Sequence, residues 1–329
     1  MRVLVTGATG FLGSRICHRL GREGHAVTAF CRPNSDASPL AGLDLARVIG
    51  DVTDYESLDR AVLGHDAVIH AAASLRYGAS SKSDRDAQTR VNVVGTSNAA
   101  GASRKRGVAR FIHVSSVAAI GIPPDADHPA DETFRFNLRE SGLNYHVSKW
   151  EAEAAVVGEF RAGLSAVIVN PGAIYGPFGR GYRGSALLEK VRRQRVVPYY
   201  RGGINVVHVD DVVDGIVRAI TRGRPGTRYI LGGENLTVRR IAETAAEILG
   251  VRRTFIPLPS VVTLLASAIL QPVSRVTGGC PRVTREIHYF AGRYQYYNSS
   301  KAKSELGFEA RPFRTIAEEC LAFRARLSE

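Results

Sequence analysis

The sequence contains few cysteines and no long hydrophobic run, and both shortages restrict the kinds of protein that it can encode. None of the cysteines has a partner at metal-ligand spacing, and their small number favours a reduced cytoplasm over a disulfide-stabilised domain. The cysteines of the 329-residue chain are Cys17, Cys31, Cys280 and Cys320. The longest apolar stretch, from Val261 to Leu270, is too short to cross a bilayer. We therefore expect a cytoplasmic protein with no membrane span and no bound metal.

Acidic residues are outnumbered, because 31 Asp and Glu stand against 44 Lys and Arg and leave a net charge of +13. A basic surface can attract phosphates, acyl carriers or nucleic acid. Against nucleic acid, the arginines are scattered instead of being clustered with aromatic residues, and the sequence carries no recognition motif. A small-molecule substrate is therefore the predicted partner. The length and a hydrophobic content of 44% suit one large domain with a smaller appendage.

A glycine-rich string, Gly7 to Gly13, connects a predicted strand to a predicted helix. Before it, Arg2 to Thr6 is a short apolar run typical of a buried parallel strand, and after it helical spacing begins at Ser14. Glycines here allow a tight turn, let the backbone approach a phosphate and bring helix and strand close together. The first N–H groups of the helix then face the phosphates. The string predicts a dinucleotide pyrophosphate site, and a glycine turn without a ligand is the alternative.

Strand and helix patterns alternate as far as residue 170. Apolar, β-branched runs predict six strands, at residues 2–6, 25–30, 47–51, 67–70, 111–115 and 165–169. Helical spacing predicts long helices at 84–106 and 145–160. Such alternation predicts an α/β fold, a doubly wound parallel sheet of the Rossmann type, over residues 1–171.

Beyond residue 171 the alternation loosens. Residues 172–329 predict a smaller substrate-binding lobe, with 205–232 as a candidate return to the main sheet. Helices are predicted near 212–221, 238–249 and 261–277. Ligands of such sheets bind beyond the carboxyl ends of the strands, so the candidate functional residues are expected at that edge.

Tyr145 and Lys149 lie four residues apart in one predicted helix. This spacing places both side chains on one helical face. A phenol with an ordinary pKa of about 10 is a poor acid–base catalyst at neutral pH, but a neighbouring cation favours its ionised form. We therefore predict that Lys149 lowers the pKa of Tyr145 and that the pair carries the chemistry. Two side chains of an ordinary amphipathic helix are the alternative.

Together these strings make the chain resemble the extended short-chain dehydrogenase/reductase superfamily, and within it the NAD-dependent epimerase/dehydratase family, over nearly its full length. The matching strings are TGATGFLG from Thr6, DVTD from Asp51, HAAA from His70, NVVGT from Asn92, VSS from Val114, YHVSK from Tyr145 and PGAIYGP from Pro171. The tail resembles dihydroflavonol 4-reductase-like and hopanoid-associated epimerase-like proteins, on GINVVHVDD from Gly203 and YILGGEN from Tyr229. The resemblance implies an enzyme that moves a proton and a hydride at a carbon–oxygen bond.

The resemblance also implies a role for each matching residue. Tyr145, Lys149 and Ser116 would be catalytic; the Ser116 hydroxyl would hold the substrate oxygen, with Ser115 as the alternative, and Lys149 would reach the cofactor ribose. The implied cofactor-binding residues are Gly7, Thr9, Gly10, Phe11, Leu12, Gly13, Arg32, Asp51, Val52, Ala71, Ala72, Ala73, Tyr145, Lys149, Pro171 and Ala173. Of these, Asp51 and Val52 would flank the adenine. A homodimer through the helices at 84–106 and 145–160 is implied as well.

The end of the second strand bears on the choice of cofactor. An acidic residue there would accept hydrogen bonds from the adenosine ribose and indicate NAD. This chain has Arg32, and a guanidinium suits a 2′-phosphate because it is planar and permanently charged. We therefore predict NADP(H), with NAD(H) as the alternative if Arg32 is only a solvated loop charge.

Three functions remain open on the sequence. An NADP(H)-dependent oxidoreductase would reduce a carbonyl, or oxidise the alcohol, of a small hydrophobic substrate, with Tyr145 as the proton donor. An NAD-dependent sugar or nucleotide-sugar epimerase or dehydratase is weakened, because Val117 follows Ser116 where dehydratases carry an acidic pair, and Ile204 and Asn205 replace an Arg-Asp pair. A dinucleotide-sensing protein without turnover would lack the tyrosine or the lysine.

Several other polar residues are predicted to be structural. Asn92 is expected to support the site through hydrogen bonds, with a proton-relay role as the alternative. Asp210 or Asp211 is expected to cap a helix, and His70 and His113 to be core or cofactor-adjacent histidines. The segments 122–143 and 171–183 are expected to line the substrate pocket, with 261–270 as a cover. Their aromatic residues favour an apolar substrate, with core residues of the smaller lobe as the alternative, and are Phe134, Phe136, Tyr175, Phe178 and Tyr182.

Overall fold

The first half of the chain alternates strand and helix. The computed structural model describes residues 1–75, 81–177, 186–259, 261–262 and 285–326. The first six strands are β1 (Arg2–Thr6), β2 (Ala26–Cys31), β3 (Ala46–Ile49), β4 (Ala67–His70), β5 (Arg110–Val114) and β6 (Ala166–Pro171). The helices between them are α1 (Phe11–Arg22), α2 (Tyr55–Val62), α3 (Lys82–Thr89), α4 (Gly95–Lys105) and α5 (Asn144–Arg161).

The second half mixes short strands with helices. In chain order they are β7 (Ala173–Tyr175), α6 (Ala186–Arg193), β8 (Val196–Tyr200), β9 (Gly203–His208), α7 (Val209–Arg222), β10 (Arg228–Leu231), β11 (Glu234–Thr237), α8 (Val238–Ile248), β12 (Thr254–Leu258), the helix Arg285–Phe290, β13 (Tyr294–Gln295), and the helices Ser300–Leu306 and Phe313–Arg326. Most of these strands form two small sheets. In one, β9 pairs with β7, β11 and β13, and in the other β8 pairs with β12.

The main sheet is parallel throughout and has the order β10-β6-β5-β4-β1-β2-β3. The strand order reverses between β1 and β4, and this reversal opens a crevice at the carboxyl edge in which ligands of doubly wound sheets bind. The glycine-rich string follows β1 and the alanines at 71–73 follow β4, so both lie at this edge. The predicted fold class is thereby confirmed.

Helices cover both faces of the main sheet, which explains why its strands are almost continuously apolar. On one face, α1 and α7 pack on side chains such as Val3 and Val5, which are completely buried. On the other face, α2, α4 and α5 pack on Leu4, Val68 and Phe111. The site therefore sits on a rigid, dry scaffold.

All six predicted strands are present, with ends that shift by at most two residues. A seventh, β10, comes from the 205–232 segment and pairs with β6 at the edge of the main sheet. The division of the chain into two domains at residue 171 stays a prediction, since α7 also packs on the main sheet. The predicted helix at 261–277 lies outside the described residues except at 261 and 262.

Two local predictions were wrong. The helix predicted at 84–106 is interrupted by a π turn at Arg90–Val94, and turns of this kind often mark functional sites. Neither Asp210 nor Asp211 caps α7. The cap is His208, whose ring Nδ1 accepts the Asp210 backbone N–H at 3.2 Å. The two aspartates form ion pairs instead, Asp210 with Arg15 and Asp211 with Arg311. Contacts with residues far away in the chain therefore determine the positions of these side chains.

Candidate active site

The glycine-rich string is packed so tightly that side chains cannot fit at two of its positions. Gly7 has φ +69°, and a Cβ added there would lie 2.7 Å from the Ala72 backbone nitrogen after β4. A Cβ at Gly13 would overlap the Gly7 carbonyl oxygen, because α1 leaves the strand directly over the loop. The requirement for glycine at these positions is therefore steric.

The amino end of α1 is open to an anionic ligand. Gly10 is its N-cap residue and offers no capping side chain, and no acidic residue lies in the first turn. The loop itself is closed by a hydrogen bond from the Gly10 N–H to the Gly7 carbonyl, at 3.0 Å. A side-chain-free turn at the positive end of a helix suits a pyrophosphate. The residues present thus fit a dinucleotide.

The remaining cofactor-binding candidates lie at the same edge. Arg32 follows β2 and is exposed, with no hydrogen bond or ion pair of its guanidinium to the residues that the structure describes. The Asp51 carboxylate is already engaged, since its Oδ1 accepts from the Thr53 N–H and hydroxyl at 2.8 and 2.9 Å. Val52 beside it is buried. Pro171 ends β6, opposite Leu231 of β10.

The catalytic candidates meet where α5 passes the end of β5. Tyr145 is in the first turn of α5, and its hydroxyl is hydrogen-bonded to the Ser116 side chain. Ser116 caps a short 3-10 turn at residues 117–119, and its Oγ also accepts the Ala118 N–H at 3.2 Å. One turn along α5, the Lys149 ammonium is fully buried and donates to the Val114 carbonyl at 2.9 Å. The structure therefore brings the three predicted residues together.

The two neighbouring serines have different surroundings. Ser116 Oγ contacts the Tyr145 hydroxyl, whereas Ser115 Oγ is buried and has no hydrogen-bond partner among the described residues. Because a hydroxyl that assists Tyr145 must face it, this geometry favours Ser116 over Ser115 for the substrate oxygen.

The expected lowering of the tyrosine pKa is not found. Burial raises the pKa of Tyr145 to about 12, and the hydrogen bond from Ser116 only partly opposes this rise. Burial also lowers the pKa of Lys149 to about 8, while the Glu153 carboxylate acts in the opposite direction. The prediction failed because helical spacing shows that two groups share a face but not that desolvation outweighs their attraction. A protonated phenol beside a serine hydroxyl remains well suited to donate a proton.

Asn92 lies in the π turn and is nearly fully buried. Its Oδ1 accepts from the Ser74 N–H at 2.7 Å, and its Nδ2 donates to the Ser148 hydroxyl at 2.9 Å. The π turn therefore connects the chain segment after β4 to α5 through hydrogen bonds of Asn92, as expected for a residue that supports the site.

The two strand histidines differ from each other. His70 is held between the Thr6 and Thr96 hydroxyls, at 2.8 and 3.1 Å, and burial lowers its pKa to about 3. His113 stacks on His70 with ring centroids 5.7 Å apart, but neither of its ring nitrogens has a partner among the described residues. Burial and the nearby Lys149 hold its pKa well below the ordinary value. Both rings are therefore neutral neighbours of the lysine.

The sequence reasoning missed three residues of this region, namely Glu153, Asn170 and Arg228. All three join a hydrogen-bonded group next to the predicted catalytic residues. Only Glu153 left a signal in the sequence, because it continues the four-residue spacing of Tyr145 and Lys149 along one face of α5. Asn170 and Arg228 come from β6 and β10, and only the folded sheet brings them there.

The predicted pocket segments are only partly described. Ile122, Phe136 and Leu138 pack with Leu143 and Phe290 in an apolar cluster beside α5. Tyr175 is buried against Phe313 in the second lobe, so it is a core residue. The predicted pocket residues Phe178 and Tyr182 and most of the 261–270 cover lie outside the described residues.

Neither a metal site nor a membrane span was found in the described part of the chain. There, no group of three or more His, Cys, Asp or Glu side chains is arranged to hold a metal ion. No helix among the residues searched has the length and apolar character needed to cross a membrane.

Residues 3–232 match the NAD dependent epimerase/dehydratase family. The chain belongs to this family. As the family and its relatives indicate, it is an NAD(P)-dependent enzyme of the extended short-chain dehydrogenase/reductase type.

Similar proteins include both reductases and sugar-nucleotide enzymes. A protein of Synechocystis sp. named dihydroflavonol 4-reductase is 33% identical over 309 residues, which are 92% of this chain and 88% of that protein. Sterol demethylase protein B of Methylococcus capsulatus is also 33% identical, over 99% of both chains. The crystal structure of gox2253 shares 35% identity and a TM-score of 0.83, with 99% of this chain and 98% of that chain covered. Ketoreductases, dTDP-glucose dehydratases and a structure with UDP-glucose and NAD are also similar.

Proposed function

We propose that this enzyme transfers a hydride from NADPH to the carbonyl of a hydrophobic small molecule and protonates the resulting oxygen from Tyr145. The observation that carries the proposal is the contact between the Tyr145 and Ser116 hydroxyls, one helical turn from the buried Lys149 ammonium. When bound, the cofactor supplies the hydride at its nicotinamide ring. The protein residues orient the carbonyl and provide the proton.

Each catalytic residue has a defined task in the proposed reaction. The Ser116 and Tyr145 hydroxyls both donate to the carbonyl oxygen, which draws charge from its carbon and orients it. The Tyr145 proton then moves to that oxygen as negative charge develops there. The Lys149 ammonium stabilises the phenolate that remains and holds the ribose hydroxyls. A pKa of about 12 keeps Tyr145 protonated at neutral pH, which supports reduction over alcohol oxidation.

The cofactor would lie across the reversal point of the main sheet. Its pyrophosphate would contact the loop of Gly7, Thr9 and Gly10 and the first residues of α1, namely Phe11, Leu12 and Gly13. The adenine would lie beside Asp51 and Val52, and Ala71, Ala72 and Ala73 would allow the nicotinamide half to approach β4. Pro171 and Ala173 would border the nicotinamide. The exposed Arg32 has no protein partner among the described residues, so it is available to a 2′-phosphate and supports NADP(H) over NAD(H).

The alternative of a sugar-nucleotide epimerase or dehydratase has less support. The residues after Ser116 are Val117, Ala118 and Ala119, all buried and apolar, and they offer no acid for an elimination. Asn205 is occupied by hydrogen bonds to Gly233 and Asn235, which leaves it no free group for a diphosphate. Apolar substrates are also favoured by relatives that are named for sterol demethylation and for 2-alkyl-3-oxoalkanoate reduction.

The experiment is a substrate screen with the purified full chain. NADPH or NADH is mixed with long-chain 3-oxo acids, sterol ketones and small aldehydes, and loss of the reduced nicotinamide absorbance is followed. We expect oxidation of NADPH by an apolar ketone. If no carbonyl is reduced while UDP- or dTDP-sugars are epimerised with NAD, the proposal is wrong. The homodimer and the cytoplasmic location stay predictions.

A further inference from the structure

A buried carboxylate, that of Glu153, lies one helical turn beyond Lys149. The proposed reduction assigns it no role. Glu153 is only 5% exposed, and a charged group in such a place is costly unless it is paired. Tyr145, Lys149 and Glu153 follow each other at intervals of four on one face of α5. The carboxylate therefore points into the region directly beneath the catalytic residues.

Two partners hold the Glu153 carboxylate. Its Oε1 accepts from Asn170 Nδ2 at 2.5 Å, and its Oε2 lies 3.4 Å from Arg228 Nη1. The same Asn170 nitrogen donates to the Ser116 carbonyl at 2.9 Å. Ser116 is thus connected through one amide group to Glu153.

Arg228 is anchored on its other side. Its Nε donates to the Glu132 carbonyl at 2.8 Å, and its Nη2 donates to the Phe134 carbonyl at 3.2 Å. Both carbonyls belong to the 122–143 segment that is expected to reach the substrate. The arginine therefore connects β10, this segment and α5. Its two backbone hydrogen bonds hold the guanidinium in the orientation that faces Glu153.

The surroundings of Lys149 contain one counter-charge among the described residues. On β4 and β5, His70 and His113 are neutral because burial depresses their pKa values, and on α5 Tyr145 is protonated. The Val114 carbonyl accepts one ammonium hydrogen but carries no charge. The Glu153 carboxylate, in contrast, raises the pKa of Lys149 against the effect of burial.

We propose that Glu153 is a positioning residue of this active site: its buried carboxylate, held by Arg228 and Asn170, fixes the backbone of Ser116 and is the counter-charge one helical turn from the Lys149 ammonium. The inference rests on the proposed roles of Tyr145, Lys149 and Ser116. A neutral lysine would lose its attraction for the phenolate and one of its hydrogen-bond donors, so the carboxylate extends the pH range in which the enzyme works.

The first test follows Lys149 itself. The chain has six lysines, so lysine labelled with 13C at Cε gives few signals, and the Lys149 signal is the one missing from the Lys149→Met chain. Glu153→Gln keeps the size of the side chain and an oxygen for Asn170, but removes the charge. We expect the titration midpoint of Lys149 to fall by roughly one pH unit, as for opposite charges one helical turn apart in a buried environment.

The second test is the pH profile of kcat/KM. In Glu153→Gln the decline of kcat/KM at high pH should move to lower pH by the same amount as the NMR midpoint. A loss of about fivefold at pH 8 should then nearly disappear at pH 6. Glu153→Asp keeps the charge and should leave the position of this decline unchanged. Asp59→Asn is the matched control and should leave the pH of this decline unchanged. Asp59 is an equally buried carboxylate, and it is paired with Arg106 between α2 and the end of α4.

The outcomes separate the inference from the proposed function. An unchanged Lys149 midpoint in Glu153→Gln overturns the inference, and so does a loss of activity that is the same at every pH. Persistent turnover in Tyr145→Phe would overturn the proposed function and leave the NMR result standing. If Glu153→Gln does not fold, the double variant Glu153→Gln/Arg228→Gln carries the test, because it leaves no unpaired buried charge. Its Lys149 midpoint should lie below that of Arg228→Gln, and equal midpoints in these two variants contradict the inference.

Discussion

The proposed cofactor side of the site and its proposed catalytic side are built on different physical principles. On the cofactor side the loop after β1 is shaped by backbone atoms and by the absence of side chains at Gly7 and Gly13. On the catalytic side, buried polar groups on α5 face the end of β5, and their charges act on each other through a dry interior. The first side should therefore respond to added volume and the second to a lost proton or charge.

The largest effect is expected from removing one oxygen on the catalytic side. Tyr145→Phe deletes the proposed proton donor and keeps the ring, so kcat should fall by roughly 10²- to 10⁴-fold. The dissociation constant of NADPH, measured by fluorescence titration, should stay within about twofold, because the phenol contributes little to holding the cofactor. A tenfold weaker NADPH affinity would instead show that Tyr145 mainly contributes to binding the cofactor.

A substitution of Lys149 tests whether this one residue serves both cofactor binding and catalysis. Lys149→Ala should lower kcat and weaken NADPH binding together, since the same ammonium is proposed to stabilise the phenolate and to hold the ribose. Lys190→Ala, on α6 and away from the site, is the matched control and should change neither quantity. If Lys149→Ala keeps the NADPH affinity of the wild type, Lys149 contributes to catalysis but not to cofactor binding.

A single methyl group added to the glycine-rich loop is expected to disrupt cofactor binding. Gly7 and Gly24 both have positive φ, but a Cβ at Gly7 would meet the Ala71 and Ala72 backbone, whereas nothing lies within 4 Å of a Cβ at Gly24. Gly24→Ala should therefore cost only the left-handed backbone, roughly 1–2 kcal/mol of unfolding free energy. Gly7→Ala should cost more and should also weaken NADPH binding at least tenfold. Equal behaviour of the two variants would show that the loop can relax without harm to the site.

The sequence was a good guide wherever neighbouring residues decide the structure. Most of the six strands were predictable because, like β1 and β4, they are buried on both faces and read as continuous apolar runs, whereas β3 is a largely exposed edge strand. The meeting of Tyr145, Lys149 and Ser116 was predictable from the spacing and the family resemblance. The seventh strand, β10, was only a candidate, since its place depends on pairing with β6, which lies about 60 residues earlier in the chain.

What the sequence could not supply was the balance of competing interactions. The Tyr145 pKa depends on how deeply the phenol is buried, and no spacing rule contains that depth. His208 rather than Asp210 caps α7, because Asp210 has a distant partner in Arg15. Arg228 reaches Glu153 only through the pairing of β10 with β6. Each of these errors concerns contacts between residues far apart in the chain.

The smallest expected effect belongs to Arg32, because a charge at an exposed position is screened by solvent and salt. Arg32→Glu should reduce the preference for NADPH over NADH by about three- to tenfold, as expected for a charged hydrogen bond to the 2′-phosphate that solvent weakens. Arg22→Glu makes the same change of net charge at the exposed end of α1 and should leave the preference unaltered. In the wild type the preference should also narrow as ionic strength rises. A preference that neither Arg32→Glu nor salt alters would mean that Arg32 does not read the phosphate, and the cofactor side would then discriminate by shape alone.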